Sequence, residues 1–97
     1  MKIFVWDRTK NEILKKERGI CFEDVVACFS EGKVLAIFEH PDQEKYKDQK
    51  IAVVEINNYA YAVPYLEEKD KIILKTVYPS RKYTKVFLRK EENEMDR

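Results

Sequence analysis

A chain of 97 residues can enclose one hydrophobic core, so it forms one domain, and its formal charge of +1 leaves it close to neutral as a whole. With 44% hydrophobic and 38% charged residues, two Gly and three Pro, the composition excludes a disordered or low-complexity chain. No apolar run reaches the roughly 18 residues of a membrane span and the first residues lack the apolar core of a signal peptide, so a cytoplasmic protein is expected, with no membrane contact.

Residues 2–6, KIFVW, are β-branched and aromatic and predict a first strand. Asp7 follows as a helix cap, its carboxylate placed to accept an N–H of the first turn. The segment Arg8 to Arg18 is rich in Lys and Glu, with Ile13 and Leu14 as its clearly apolar residues, and predicts an exposed helix ended by a left-handed Gly19. Phe22, Val25, Val26 and Phe29 then recur at i, i+3, i+4 and i+7, the stripe of a core helix that stops at Gly32. Cys21 stands where an oxygen-bearing cap is wanted. Cys21 and Cys28 fall on this helix about 10 Å apart along its axis, too far for a disulfide. With a single His the chain has no zinc-ligand set, so buried, reduced thiols are expected and no metal.

Residues 33–39 predict a second strand, and His40, Pro41 and Asp42 open a polar loop reaching to about Gln49. Strands over 51–56 and 59–66 flank Asn57 and Asn58, which tolerate the positive φ of a tight hairpin. In the second of these, Tyr59, Tyr61, Val63 and Tyr65 line one face, and Ala60, Ala62 and Pro64 line the other, where a helix can approach. Pro64 donates no backbone hydrogen bond, which predicts a bulge or an unpaired edge beside it. After a charged loop from Glu67 to Asp70, residues 72–78 predict one more strand. Pro79 is expected to stop the ladder, and Ser80 to cap a helix from Arg81 to Lys90 anchored by Val86 and Phe87. The expected order is β-α-α-β-β-β-β-α, an α+β domain over residues 1–90 with helices on one face of an antiparallel sheet, followed by a frayed charged tail, 91–97.

The stretch Lys71 to Lys90 holds seven Lys or Arg and no acid, leaving the remainder of the chain at −6. Such a concentrated field suits a polyanion, although a solvated basic face would read the same way. There is no glycine-rich phosphate loop, nucleophile elbow or paired-carboxylate motif.

The pattern Trp6, Asp7, Lys10, Gly19, Phe22, Glu23, followed by hairpin strands and a closing Ser80, Arg81, Lys82, Thr84, Lys85, resembles the BrnT family of toxins. The resemblance spans nearly the whole chain to about residue 90. It implies a RelE-like fold, a metal-independent endoribonuclease acting on mRNA without a cofactor, and a cognate antitoxin, typically of ribbon-helix-helix type, through which alone operator DNA is contacted. The chain departs from the family pattern in having Leu14 where Asn is common, Glu17 and Arg18 before Gly19 where Lys-His is common, and Gln49 and Lys50 where a Glu-Arg pair often opens a strand. The missing Glu and His take away two acid–base groups, which leaves a second reading: an antitoxin-binding or RNA-binding module of the same fold with impaired catalysis.

Metal-free RNA cleavage needs the 2′-hydroxyl deprotonated, the phosphorane stabilised and the 5′-oxygen protonated. Arg81 matches the family's Arg, and its guanidinium can hold two phosphate oxygens. Lys85 is four residues on, on the same helical face. His40, Tyr83 and Tyr78 are the candidate proton-transfer groups, with Glu39 or Glu44 as bases if the fold brings them near. Lys50, Lys75, Lys82 and Arg89 would extend the RNA track.

Overall fold

The structure is a computed structural model and describes residues 2–88; the expected tail 91–97 and the last two residues of the predicted C-terminal helix, Arg89 and Lys90, lie outside the described residues. Strand β1 (Ile3–Val5) leads directly into helix α1 (Arg8–Arg18), because the extended Asp7 accepts the Lys10 N–H on its carboxylate at 2.9 Å. Gly19 closes α1 at φ 70°, a conformation that strains any residue with a Cβ. Helix α2 (Phe22–Glu31) has Cys21 at its cap position, and the missing cap oxygen is supplied from another helix. Asn11 of α1, 4% exposed, accepts the Phe22 N–H at 2.7 Å and donates to the Glu23 carboxylate at 2.8 Å. Asp24 in turn accepts the Cys21 N–H at 3.0 Å. The Cys21 and Phe22 N–H groups, two of the orphan donors at this helix start, are thereby satisfied.

The remaining elements are β2 (Val34–Glu39), β3 (Gln49–Ile56), β4 (Tyr59–Glu67), β5 (Lys71–Leu74), β6 (Tyr78–Pro79) and α3 (Arg81–Phe87). The described strands form one sheet in the order β1-β5-β4-β3-β2, with β6 pairing β4 beyond the end of β5. All pairs are antiparallel except β1 with β5. The fold is α+β, and Asn57 and Asn58 make the β3–β4 turn at φ 54° and 64°.

Two expectations are corrected. The strand expected over 72–78 is split: Tyr65 pairs with Leu74 while Ala62 pairs with Tyr78, so β4 advances three residues where its partner advances four. The extra residue sits opposite Pro64, which has no N–H to give and whose carbonyl accepts the Lys75 N–H at 2.9 Å. Pro79 does not stop the ladder; it pairs with Tyr61, and the Ser80 N–H still reaches the Ala60 carbonyl at 2.9 Å.

The helices also lie on both faces of the sheet. Residues facing each other across a ladder share a side, so the register sorts the side chains. Ala52, Val54, Val63, Tyr65 and Leu74 point to one side and enter the main core with Leu14 of α1 and Phe22, Val25 and Cys28 of α2. Ile51, Val53, Ala60, Ala62 and Pro64 point to the other and are also buried. A sheet apolar on both faces needs cover on both. Helix α3 supplies part of it on the small-residue side of β4: Thr84 accepts the Ala60 N–H at 2.8 Å, and the Tyr83 ring meets Phe38 edge-on at 5.6 Å.

Candidate functional site

On the α3 side of the sheet, the one-residue excess opposite Pro64 opens a cavity of about 390 Å³. Pro64 is its floor. His40, Tyr46 and Gln49 wall one side, from the end of β2 and the loop before β3. Lys75, Thr76 and Tyr78 wall the other, from the segment between β5 and the end of β6. Lys10 reaches in from the first turn of α1, its ammonium held by the Lys75 carbonyl at 3.0 Å.

The loop that carries His40 is shaped by its own side chains. Gln43 ties both ends together, donating to the His40 carbonyl at 2.8 Å and the Gln49 carbonyl at 3.2 Å while accepting the Asp48 N–H at 3.2 Å. Asp42 closes a turn on the Lys45 N–H at 3.1 Å. The Asp42 N–H donates to His40 Nδ1 at 3.1 Å, which places the proton of the neutral ring on Nε2. The imidazole lies against the Tyr46 ring, centroids 4.3 Å apart and planes 31° apart. His40 is therefore held as a half-buried hydrogen-bond donor with a ring behind it.

Burial pushes the Tyr78 hydroxyl above its ordinary value of 10.0, and the neighbouring Tyr83 adds to the shift, so Tyr78 keeps its proton at neutral pH. Tyr83 of α3 packs its ring between Phe38 and Phe87. Ser80 caps that helix by accepting the Tyr83 N–H at 3.1 Å, and Thr84, 1% exposed, donates back to the Ser80 carbonyl at 2.8 Å. Those two residues hold the helix in place. Arg81, Lys82 and Lys85 are exposed and make no hydrogen bond or ion pair with the described residues, Lys82 lying 5.9 Å over the Tyr83 ring.

The sequence-derived candidates thus divide into three groups. His40 and Lys75 meet in the cavity, with Tyr83 coupled to it through Tyr78. Arg81, Lys82 and Lys85 form the exposed side of α3, outside the cavity lining but on the same side of the sheet. Lys50 pairs with Tyr65 in register, faces the opposite side and is bound to Glu67 at 3.5 Å among the carboxylates of Glu39, Asp48 and Glu68. Glu39 lines that acidic hollow and not the His40 cavity. Lys10, Tyr46, Gln49 and Thr76 were not singled out as site residues from sequence. The one visible signal was Lys10 and Gln49 falling at positions of the resemblance pattern.

Among the described residues the cavity lining contains cations, phenols, an imidazole and an amide, and no carboxylate. It can take up an anion, donate protons and stack a flat ring. Comparison with known protein families, with curated proteins and with solved structures finds no match for this chain.

Proposed function

We propose that this chain is an RNA-cleaving toxin of a type II toxin–antitoxin pair, metal-independent and neutralised by a cognate protein antitoxin in the cytoplasm. The observation that carries the reading is the gathering of Lys10, Lys75, His40 and Tyr78 around one cavity with the exposed cations of α3 on the same side of the sheet. Single-stranded RNA lies along Arg81, Lys82 and Lys85, whose charges meet successive phosphates, and the scissile phosphate enters the cavity. Lys10 and Lys75 balance the growing charge of the phosphorane. The Tyr78 hydroxyl, still protonated at neutral pH, gives its proton to the departing 5′-oxygen, while the neutral His40 ring offers its Nε2–H as a hydrogen-bond donor only. For His40 to take the 2′-proton instead, the ring must present a bare nitrogen, which requires release of the Asp42 N–H bond.

Among the described residues no carboxylate lines the cavity, which favours a second reading, a module of RelE-like fold that binds RNA and its antitoxin without efficient cleavage. Induced expression in a host lacking the antitoxin separates the two. The toxin reading expects growth arrest and loss of total RNA with the wild-type chain, both removed by Arg81→Ala and by Tyr78→Phe. Normal growth with intact RNA from soluble protein would replace it with the binding module.

A further inference from the structure

The cavity has a feature that charge stabilisation and proton transfer do not use. The register sets Gln49 on the same side of the sheet as Pro64, directly across the β2–β3 ladder from His40, whose N–H donates to the Gln49 carbonyl at 2.9 Å. Its backbone is fully engaged, since its N–H also donates to the Tyr46 carbonyl at 3.1 Å. Its side-chain amide is half-buried and makes no hydrogen bond with the described residues. Gln49 sits on the divide between the cavity and the acidic hollow, and it lines the cavity together with the paired rings of His40 and Tyr46.

An amide offers donor and acceptor side by side, the complement of a base edge, whereas a phosphate can use only its N–H. Flanking it are aromatic surfaces: the His40–Tyr46 pair on one wall and Tyr78, 41% exposed, on the other. Across the floor are the ammonium groups of Lys10 and Lys75. A volume of about 390 Å³ accommodates one nucleotide and is too small for a paired duplex. A Gln amide meets adenine in bidentate fashion, accepting from the exocyclic amine and donating to the ring nitrogen beside it, and of the two bases that pair an amine with a bare ring nitrogen, adenine, the purine, gives the aromatic walls the larger face.

Resting on the RNA reading above, we infer that the cavity is a single-nucleotide site for adenine in unpaired RNA, with Gln49 reading the base edge, the aromatic walls holding its ring and Lys10 and Lys75 holding its phosphate. Gln49 is a specificity-determining residue, and Lys75 contributes equally to every base.

The test is fluorescence anisotropy with labelled hexaribonucleotides UUUXUU, X being each of the four bases, against the full-length chain. The adenine hexamer is expected to bind about tenfold more tightly than the other three, the discrimination of one bidentate contact. Gln49→Ala is expected to erase that preference while leaving the affinity for the all-uracil hexamer unchanged. Gln49→Glu, which keeps an acceptor and loses the donor, is expected to erase it as well. Lys75→Ala should weaken all four hexamers alike, and Lys16→Ala, on the exposed surface of α1, none of them. Matching melting curves for the variants confirm that each is folded. Equal binding of the four hexamers by the wild-type chain, or an adenine preference that survives Gln49→Ala, overturns the inference and leaves the RNA reading standing. If no hexamer binds, the RNA reading falls with it.

Discussion

Asn11 shows how much a single buried polar side chain can decide. Its carbonyl oxygen takes the Phe22 N–H and its amide holds Glu23, so one residue of α1 starts α2 and fixes the angle between them. Removing it leaves a buried N–H unsatisfied, and Asn11→Ala is expected to cost about 1–3 kcal/mol in urea unfolding. The same bond, as its largest cause, holds the Glu23 carboxyl below its ordinary 4.5, and the Lys2 ammonium does likewise for Glu67. Both folded values lie under the unfolded ones, so on acidification the unfolded chain takes up protons first. The stability from these groups is present above about pH 4.5 and is lost as pH falls through the folded values. Melting temperature should therefore drop between about pH 5 and pH 3, and Asn11→Ala should shallow that drop. Tyr78 runs the other way. Its raised value means that the folded state favours the neutral phenol, a contribution present below pH 10.0 and lost as pH rises through the folded value. In an absorbance titration, Tyr78→Phe should remove an ionisation step lying above 10.0.

At the scale of elements, the break between β5 and β6 makes the cavity. Pro64 withholds one N–H from the ladder, the partner strand carries one residue too many, and Lys75 and Thr76 are displaced from regular pairing to become cavity walls. The edge of β4 beyond this point is sealed by a side chain, since Thr84 of α3 takes the Ala60 N–H at 2.8 Å. Thr84→Val keeps the shape and removes that acceptor, and it should destabilise the chain by about 1–3 kcal/mol in denaturant unfolding. Because α3 presents Arg81 and Lys85, the same variant should also weaken RNA binding more than its stability loss explains. Unchanged RNA affinity in Thr84→Val would show that docking of α3 does not set the position of its cations.

At the scale of the whole molecule, the cations differ in how far they are already paired. The cations of α3 and of the cavity lie on one side of the sheet, while Lys50 is bound to Glu67 on the other side and Lys2 to Glu67 at 2.6 Å. Neutralised ammonium groups release few counterions when a polyanion binds. On the proposed RNA-binding reading, affinity measured against salt should lose about one unit of log–log slope for Arg81→Ala or Lys85→Ala and almost none for Lys50→Ala. A slope lowered equally by Lys50→Ala would mean that the RNA track crosses the sheet edge.

The local elements were legible because their causes are local. Asp7 and Ser80 as caps, Gly19 and Gly32 as helix stops, the Asn57-Asn58 turn and the Phe22–Phe29 stripe each depend on residues within a few positions, and each is found where the sequence put it. Pro64 announced an irregularity without saying that the strand opposite would be cut in two. That outcome depends on the register between β4 and residues distant in the chain. The unbroken apolar run of β3 signalled burial on both faces, yet which helix covers which face was settled by the packing of α3 on Ala60. The candidate site was legible only in part for the same reason. His40 and Lys75 could be picked by chemistry alone, because an imidazole and an ammonium bear their function in their side chains. Lys10, Tyr46 and Gln49 acquire theirs from position: the sequence by itself determined the elements and their charges, and the tertiary structure decided which side chains share a cavity, since that rests on strand register and on contacts between residues far apart in the chain.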